Sequence, residues 1–132
     1  MRTVSVLTHA DCKEIAAAAV AEAVKNKWAV SIAILDAGGN VIHLEKMDGS
    51  NNLSPEIATR KGRTAALTGR PSQMWEQRIK DGRTSMLAMP LLPVQGGVPI
   101  MAGGDCIGGV GVSGVQSHED EQIANAGIAS LK

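Results

Sequence analysis

The sequence predicts an α+β domain in which helices pack on an antiparallel sheet, and two observations carry that class. Strand-forming runs come in consecutive pairs joined by glycine turns, 28–35 with 41–45 and 98–101 with 106–113. Turns this short join antiparallel neighbours, because a parallel pair needs a crossover of about a dozen residues or more. Helical segments stand before, between and after the pairs: helix, two strands, two or three helices, two or three strands, helix.

The first helix is announced by Thr8, with the acidic Asp11 three residues on, ahead of an alanine-rich run to Asn26. Cys12, Ile15, Ala19 and Ala23 share one of its faces. Strand 28–35, the turn Asp36-Ala37-Gly38-Gly39-Asn40 and strand 41–45 follow as a hairpin. Ser54 as N-cap, Pro55 at N1 and Glu56 in the first turn start the next helix; Gly69 and Arg70-Pro71 stop it. A shorter helix over 72–80 closes at Asp81-Gly82, and 85–88 adds a turn. The glycine-rich region then gives a short strand near Pro93-Val94, strand 98–101, a Gly103-Gly104-Asp105 turn and strand 106–113. Ser117-His118-Glu119-Asp120 opens a last helix to about Leu131, with acids at its electropositive end.

Length and composition bound the function. The 132 residues, 44% hydrophobic, suit one domain over the whole chain. Thirteen basic and thirteen acidic residues, well mixed, leave no electrostatic footprint for nucleic acid or an anionic membrane. Aromatic residues are 2%, so stacking platforms for bases are nearly absent. The start is too short and polar for a signal peptide and no apolar run approaches the roughly 20 residues that span a bilayer, so a cytoplasmic protein is expected. Cys12 and Cys106 show no metal spacing, and no H-x-x-x-H, C-x-x-C or carboxylate cluster points to a metal.

The sharpest local anomaly is Lys61. On a helical wheel it falls roughly 40° from Ile57, inside the arc of Ala58, Thr64, Ala65 and Thr68. Glu56, Arg60 and Arg63 fall on the opposite, solvated face. A lysine on an apolar stripe must find an anion, reach out along its stem or lose its proton. The strand over 106–113 has one side formed by Ile107, Gly109, Gly111 and Ser113, bare enough for a helix or a flat ligand to reach its backbone. Residues 109–114 match G-x-G-x-x-G, yet the valines make the motif itself the strand, and the downstream half of a dinucleotide site is missing. His9 and His118 sit in first helical turns, and His43 alternates with Val41 and Glu45 on a strand.

Taken together, Met47-Asp48-Gly49-Ser50, the helix over 58–65, Gly96-Gly97-Val98-Pro99-Ile100, the run 107–114 and Asp120-Glu121-Gln122-Ile123-Ala124 resemble the GlcG/HbpS family, which includes the C-terminal domain of PduO-type proteins. The resemblance implies a profilin-like fold with a roughly five-stranded antiparallel sheet, assembled as a homo-oligomer from dimer to octamer. Some relatives bind or degrade haem; others are encoded with catabolic pathways for small acids, diols or ring-cleavage products. This chain departs from the family pattern with Lys46 before Met47-Asp48-Gly49 and with Gly62 after the helix lysine. Haem needs an axial ligand and an apolar slot, for which the chain offers His43, His118 and methionines but almost no aromatics.

The expectation is therefore a small-molecule-binding protein holding an anionic organic ligand between the glycine strands and the Lys61 helix. Lys61 with Arg60 or Arg70 supplies charge, Thr64 and Ser113 orientation, and Gly96, Gly97, Pro99 and Gly111 close backbone approach. Two alternatives stay open. One is an enzyme acting on a small carboxylate, with Lys61 as electrostatic stabiliser or base and His43, Asp120 or Glu121 as proton carrier. The other is a haem-binding or haem-degrading protein.

Overall fold

A computed structural model describes residues 1–131. Two β-branched runs form the centre of its sheet: β1 (Ser31–Asp36) pairs antiparallel with β4 (Asp105–Ser113), Ile32 facing Val112 and Ile34 facing Val110. β2 (Val41–Lys46) lies outside β1 and β3 (Gly97–Ala102) outside β4, giving the order β2-β1-β4-β3. The described residues thus form four strands where roughly five were expected. The missing one is 93–94: Pro93 has no N–H to give, and the Val94 N–H turns back to the Leu92 carbonyl at 3.0 Å instead of entering a ladder.

Helices α1 (His9–Lys25) and α4 (Ser117–Ala129) cover one face, where Ile15, Ala19, Ile123 and Ala124 close over Ile32, Ile34, Val110 and Val112. Each fully buried Ile or Val contributes about 1.5–3 kcal/mol. Helix α2 (Ser54–Thr68) covers the other face, with Ala58 against Ala33 and Leu35. Helix α3 (Ser72–Lys80) and a 3₁₀ turn (Thr84–Ala88) lead from α2 back to β3. Among the described residues no helix is long and apolar enough to cross a membrane.

The caps show how local chemistry sets the boundaries. Thr8 Oγ1 accepts the Asp11 N–H at 3.1 Å while Asp11 Oδ2 accepts the Thr8 N–H at 2.8 Å, a complete capping box. Gly69 ends α2 with φ 67°, its N–H on the Ala65 carbonyl. Ser54, expected as the α2 N-cap, is instead the first helical residue. Leu53 holds the cap position, and the Ser54 hydroxyl donates to the Asn51 carbonyl at 2.7 Å and meets Ser31 Oγ at 2.8 Å.

The α1 box yields a prediction. Thr8→Ala should lower stability by about 1 kcal/mol in chemical denaturation. The Thr8 backbone and side-chain hydrogen bonds hold the Asp11 carboxyl below its ordinary 3.8. A lowered folded-state value stabilises above the unfolded value and is lost as pH falls through the folded one; the variant keeps the backbone N–H at position 8 and loses only the smaller, side-chain part, so the difference between parent and variant should narrow only slightly in acid.

Candidate functional site

The helical wheel places Lys61 on the buried stripe of α2, and there it lies, 3% exposed. Its Nζ donates to Asp120 Oδ2 at 3.0 Å and to the Val112 carbonyl at 3.1 Å. Asp120, 1% exposed at the start of α4, also accepts the Val115 N–H through Oδ1 at 3.2 Å. Burial pushes the Asp120 carboxyl above its ordinary range, with the Lys61 charge and hydrogen bond pulling the other way. Two residues singled out separately, one for charge and one for proton transfer, are thus each other's partner. They pin α2 and α4 to the end of β4.

The space expected for a ligand between α2 and the glycine strands is filled by backbone. A Cβ added to Gly111 would stand 1.8 Å from the Ala58 carbonyl oxygen and 2.4 Å from the Gly62 nitrogen; one on Gly97 would stand 2.1 Å from the Lys61 carbonyl oxygen. A Cβ on Gly62 would stand 2.4 Å from Leu35 Cδ1 and 2.9 Å from the Gly111 nitrogen, which accounts for glycine at that position. Gly96, at φ 132°, lies against Lys61 Nζ, and its carbonyl accepts the Val112 N–H at 3.0 Å. The seam is helix-on-sheet contact, and the expected anion at Lys61 is supplied by the chain.

The remaining residues disperse around that seam. Buried Thr64 donates to the Arg60 carbonyl at 3.0 Å and accepts the Leu92 N–H at 2.9 Å, tying down the loop before β3. Arg60 and Arg70 are exposed. Arg63, expected among the solvated charges, is half-buried and donates from Nε to the Gly39 carbonyl at 3.0 Å. Glu121 accepts from Gln95 Nε2 at 3.0 Å. Pro99 faces Gly109 on the edge strand, and Ser113 faces Ser31. Ile107, expected on the bare side of its strand, is the extra residue of a bulge opposite Ile100 and Met101 and joins the core under α1.

A second cluster gathers where α1 meets the outer strand. His43 Nε2 lies 2.9 Å from Glu45 Oε1, and the His43 ring centroid lies 6.1 Å from that of His9 with the planes 59° apart. The His43 side chain is 20% exposed, so one edge of the ring meets solvent. Alternation along the strand set Glu45 on the same side. Val41 departs from that side because a bulge leaves Ile42 without an opposite residue and sets Val41 across from Leu35. His9 was missed: only the docking of α1 brings it to a strand 34 positions later. Among the described residues no three histidine, cysteine or carboxylate side chains converge as a metal site.

Comparison with known proteins gives the family. A family model described as "Haem degrading protein HbpS-like" matches residues 7–129. The chain is 41% identical to Protein GlcG of Escherichia coli K12 over 114 residues, 86% of this chain and 85% of that protein. A double mutant of Streptomyces reticuli HbpS superposes with a TM-score of 0.91 at 33% identity, over 100% of this chain and 91% of that one. A crystallised PduOC–heme complex superposes with a TM-score of 0.88 at 26% identity, over 97% and 96% of the two chains.

Proposed function

The chain belongs to the HbpS-like family, and from that premise we propose that it is a haem-binding protein whose axial ligand is His43. The observation that carries this reading is the Glu45–His43 contact at 2.9 Å beside His9. Ligating imidazoles commonly donate their other ring N–H to a carboxylate, which fixes the tautomer and raises basicity. Here Glu45 takes Nε2 and leaves Nδ1 as the donor nitrogen. His9, on the first turn of α1, lines the same face. The PduOC–heme complex, alike over nearly the whole of both chains, supports the choice of haem over a small organic acid. So does the loss of Lys61 as a free cation.

The reading includes a cytoplasmic homo-oligomer, from dimer to octamer, serving a catabolic pathway. Leu53, Leu67, Leu87 and Met101 are apolar groups exposed on the single chain that an assembly would cover.

Titration of the intact chain with ferric haem should give a saturable Soret band. That band should be lost in His43→Ala, weakened in His9→Ala and shifted in Glu45→Gln, whose amide backs the imidazole less strongly. A band unchanged in all three variants, or no band in the parent, overturns the assignment.

A further inference from the structure

Where β1 ends and β4 begins, the first residues of the chain line a half-open cavity of about 350 Å³. That is toward the small end of ligand pockets, which run from about 300 to 1,000 Å³. Val4, Val6, Leu7 and Ile107 give it an apolar wall. Asp36 and Asp105 stand in the same lining, and Arg2 is the one Lys or Arg among the lining residues.

The two carboxylates are held differently. Asp36 Oδ1 accepts the backbone N–H groups of Gly38 and Asn40, at 3.0 and 2.9 Å, and the Asn40 amide; the turn holds this carboxylate in place. Among the described residues the Asp105 carboxylate is met from the first residues of the chain, by the Arg2 guanidinium, whose side chain is 76% exposed. An exposed arginine on a long flexible stem makes a weak pair. The chain therefore shows with its own side chain what Asp105 accepts, and holds it there loosely.

We propose that this cavity binds a small organic cation, an ammonium or guanidinium on a short apolar body, which takes Asp105 in place of Arg2. The apolar body lies against Val4, Val6 and Ile107, contacts that the Arg2 side chain, three-quarters in solvent, does not make in full. With Arg2 displaced, the lining carries two negative charges and no positive one, which rejects an anion of the same size. Arg2 is thus a built-in competitor. The site shares no residue with the His43 cluster, so the proposal stands or falls independently of haem.

Calorimetry supplies the readout. The intact chain is titrated with n-butylammonium, n-butylguanidinium, butyrate and butanol. The two cations should bind, and butyrate and butanol should not. Arg2→Ala should bind the cations about two- to fivefold tighter, the factor an exposed ion pair is worth. Asp105→Asn should bind them roughly tenfold weaker or worse. Equal binding of butyrate or butanol, no binding of either cation, or an unchanged or weakened Arg2→Ala overturns the proposal. Should Asp105→Asn fail to fold, Arg2→Ala decides alone, since its side chain lies mostly in solvent.

Discussion

Lys61→Met is expected to lower the unfolding free energy by about 3–5 kcal/mol, because it leaves Asp120 buried without its counter-charge. The whole stability of a domain this size is about 5–15 kcal/mol, so the variant should be on the edge of unfolding at ambient temperature. Asp120→Asn should cost a similar amount, since it strands the ammonium with the Val112 carbonyl as its remaining partner. The double variant Lys61→Met/Asp120→Leu removes both charges and should recover most of the loss; a buried pair replaced by apolar groups is often neutral. The deficit also carries a pH signature. In Lys61→Met only the Val115 N–H opposes burial, so the Asp120 carboxyl rises further above 3.8 in the folded state. A raised folded-state value stabilises below the unfolded one and is lost as pH rises, so the variant should regain stability on acidification toward pH 4. Urea denaturation across that range checks both statements. A single variant as stable as the double one would show that the pair contributes no coupling.

The contrast between what was legible and what was not follows the distance over which each feature is decided. The Thr8–Asp11 box and the Gly69 stop are settled within four residues, and the structure places both where the sequence did. The Lys61 stripe is also local, being a matter of helical phase. Its partner is not: Asp120 lies 59 residues on and reaches Lys61 only because α4 folds back across the end of β4. The same holds for His9 and His43, on elements whose docking no period announces. Strand faces failed at the bulges, where Ile42 and Ile107 are each the extra residue, since register is negotiated between two strands and neither sequence carries it alone. The literal G-x-G-x-x-G was legible for the opposite reason: its valines alternate with period two, and residues 109–113 are strand in β4.

Gly111→Ala should cost about 3 kcal/mol or more, at the upper end for overpacking a core. The added methyl would fall 1.8 Å from the Ala58 carbonyl oxygen and 2.4 Å from the Gly62 nitrogen, atoms of the α2 backbone that cannot swing aside as a side chain could. Stiffening the unfolded chain returns only about 0.4–1 kcal/mol, so the clash decides the sign. Gly38→Ala is the control: its methyl would meet the Asn40 side-chain amide at 3.1 Å, the end of an exposed side chain tied to Asp36 by hydrogen bonds of 3.2 and 3.3 Å, and the change should stay within about 0.5–1 kcal/mol. To admit the methyl, α2 must lift from β4, and that motion draws Lys61 away from the Val112 carbonyl and from Asp120. The Gly111→Ala and Lys61→Met costs should therefore fall short of adding in the double variant, because the first already loosens the pair that the second removes. Strict additivity in equilibrium denaturation would mean that the glycine seam and the buried pair act separately, and that α2 yields by some path other than lifting from the sheet.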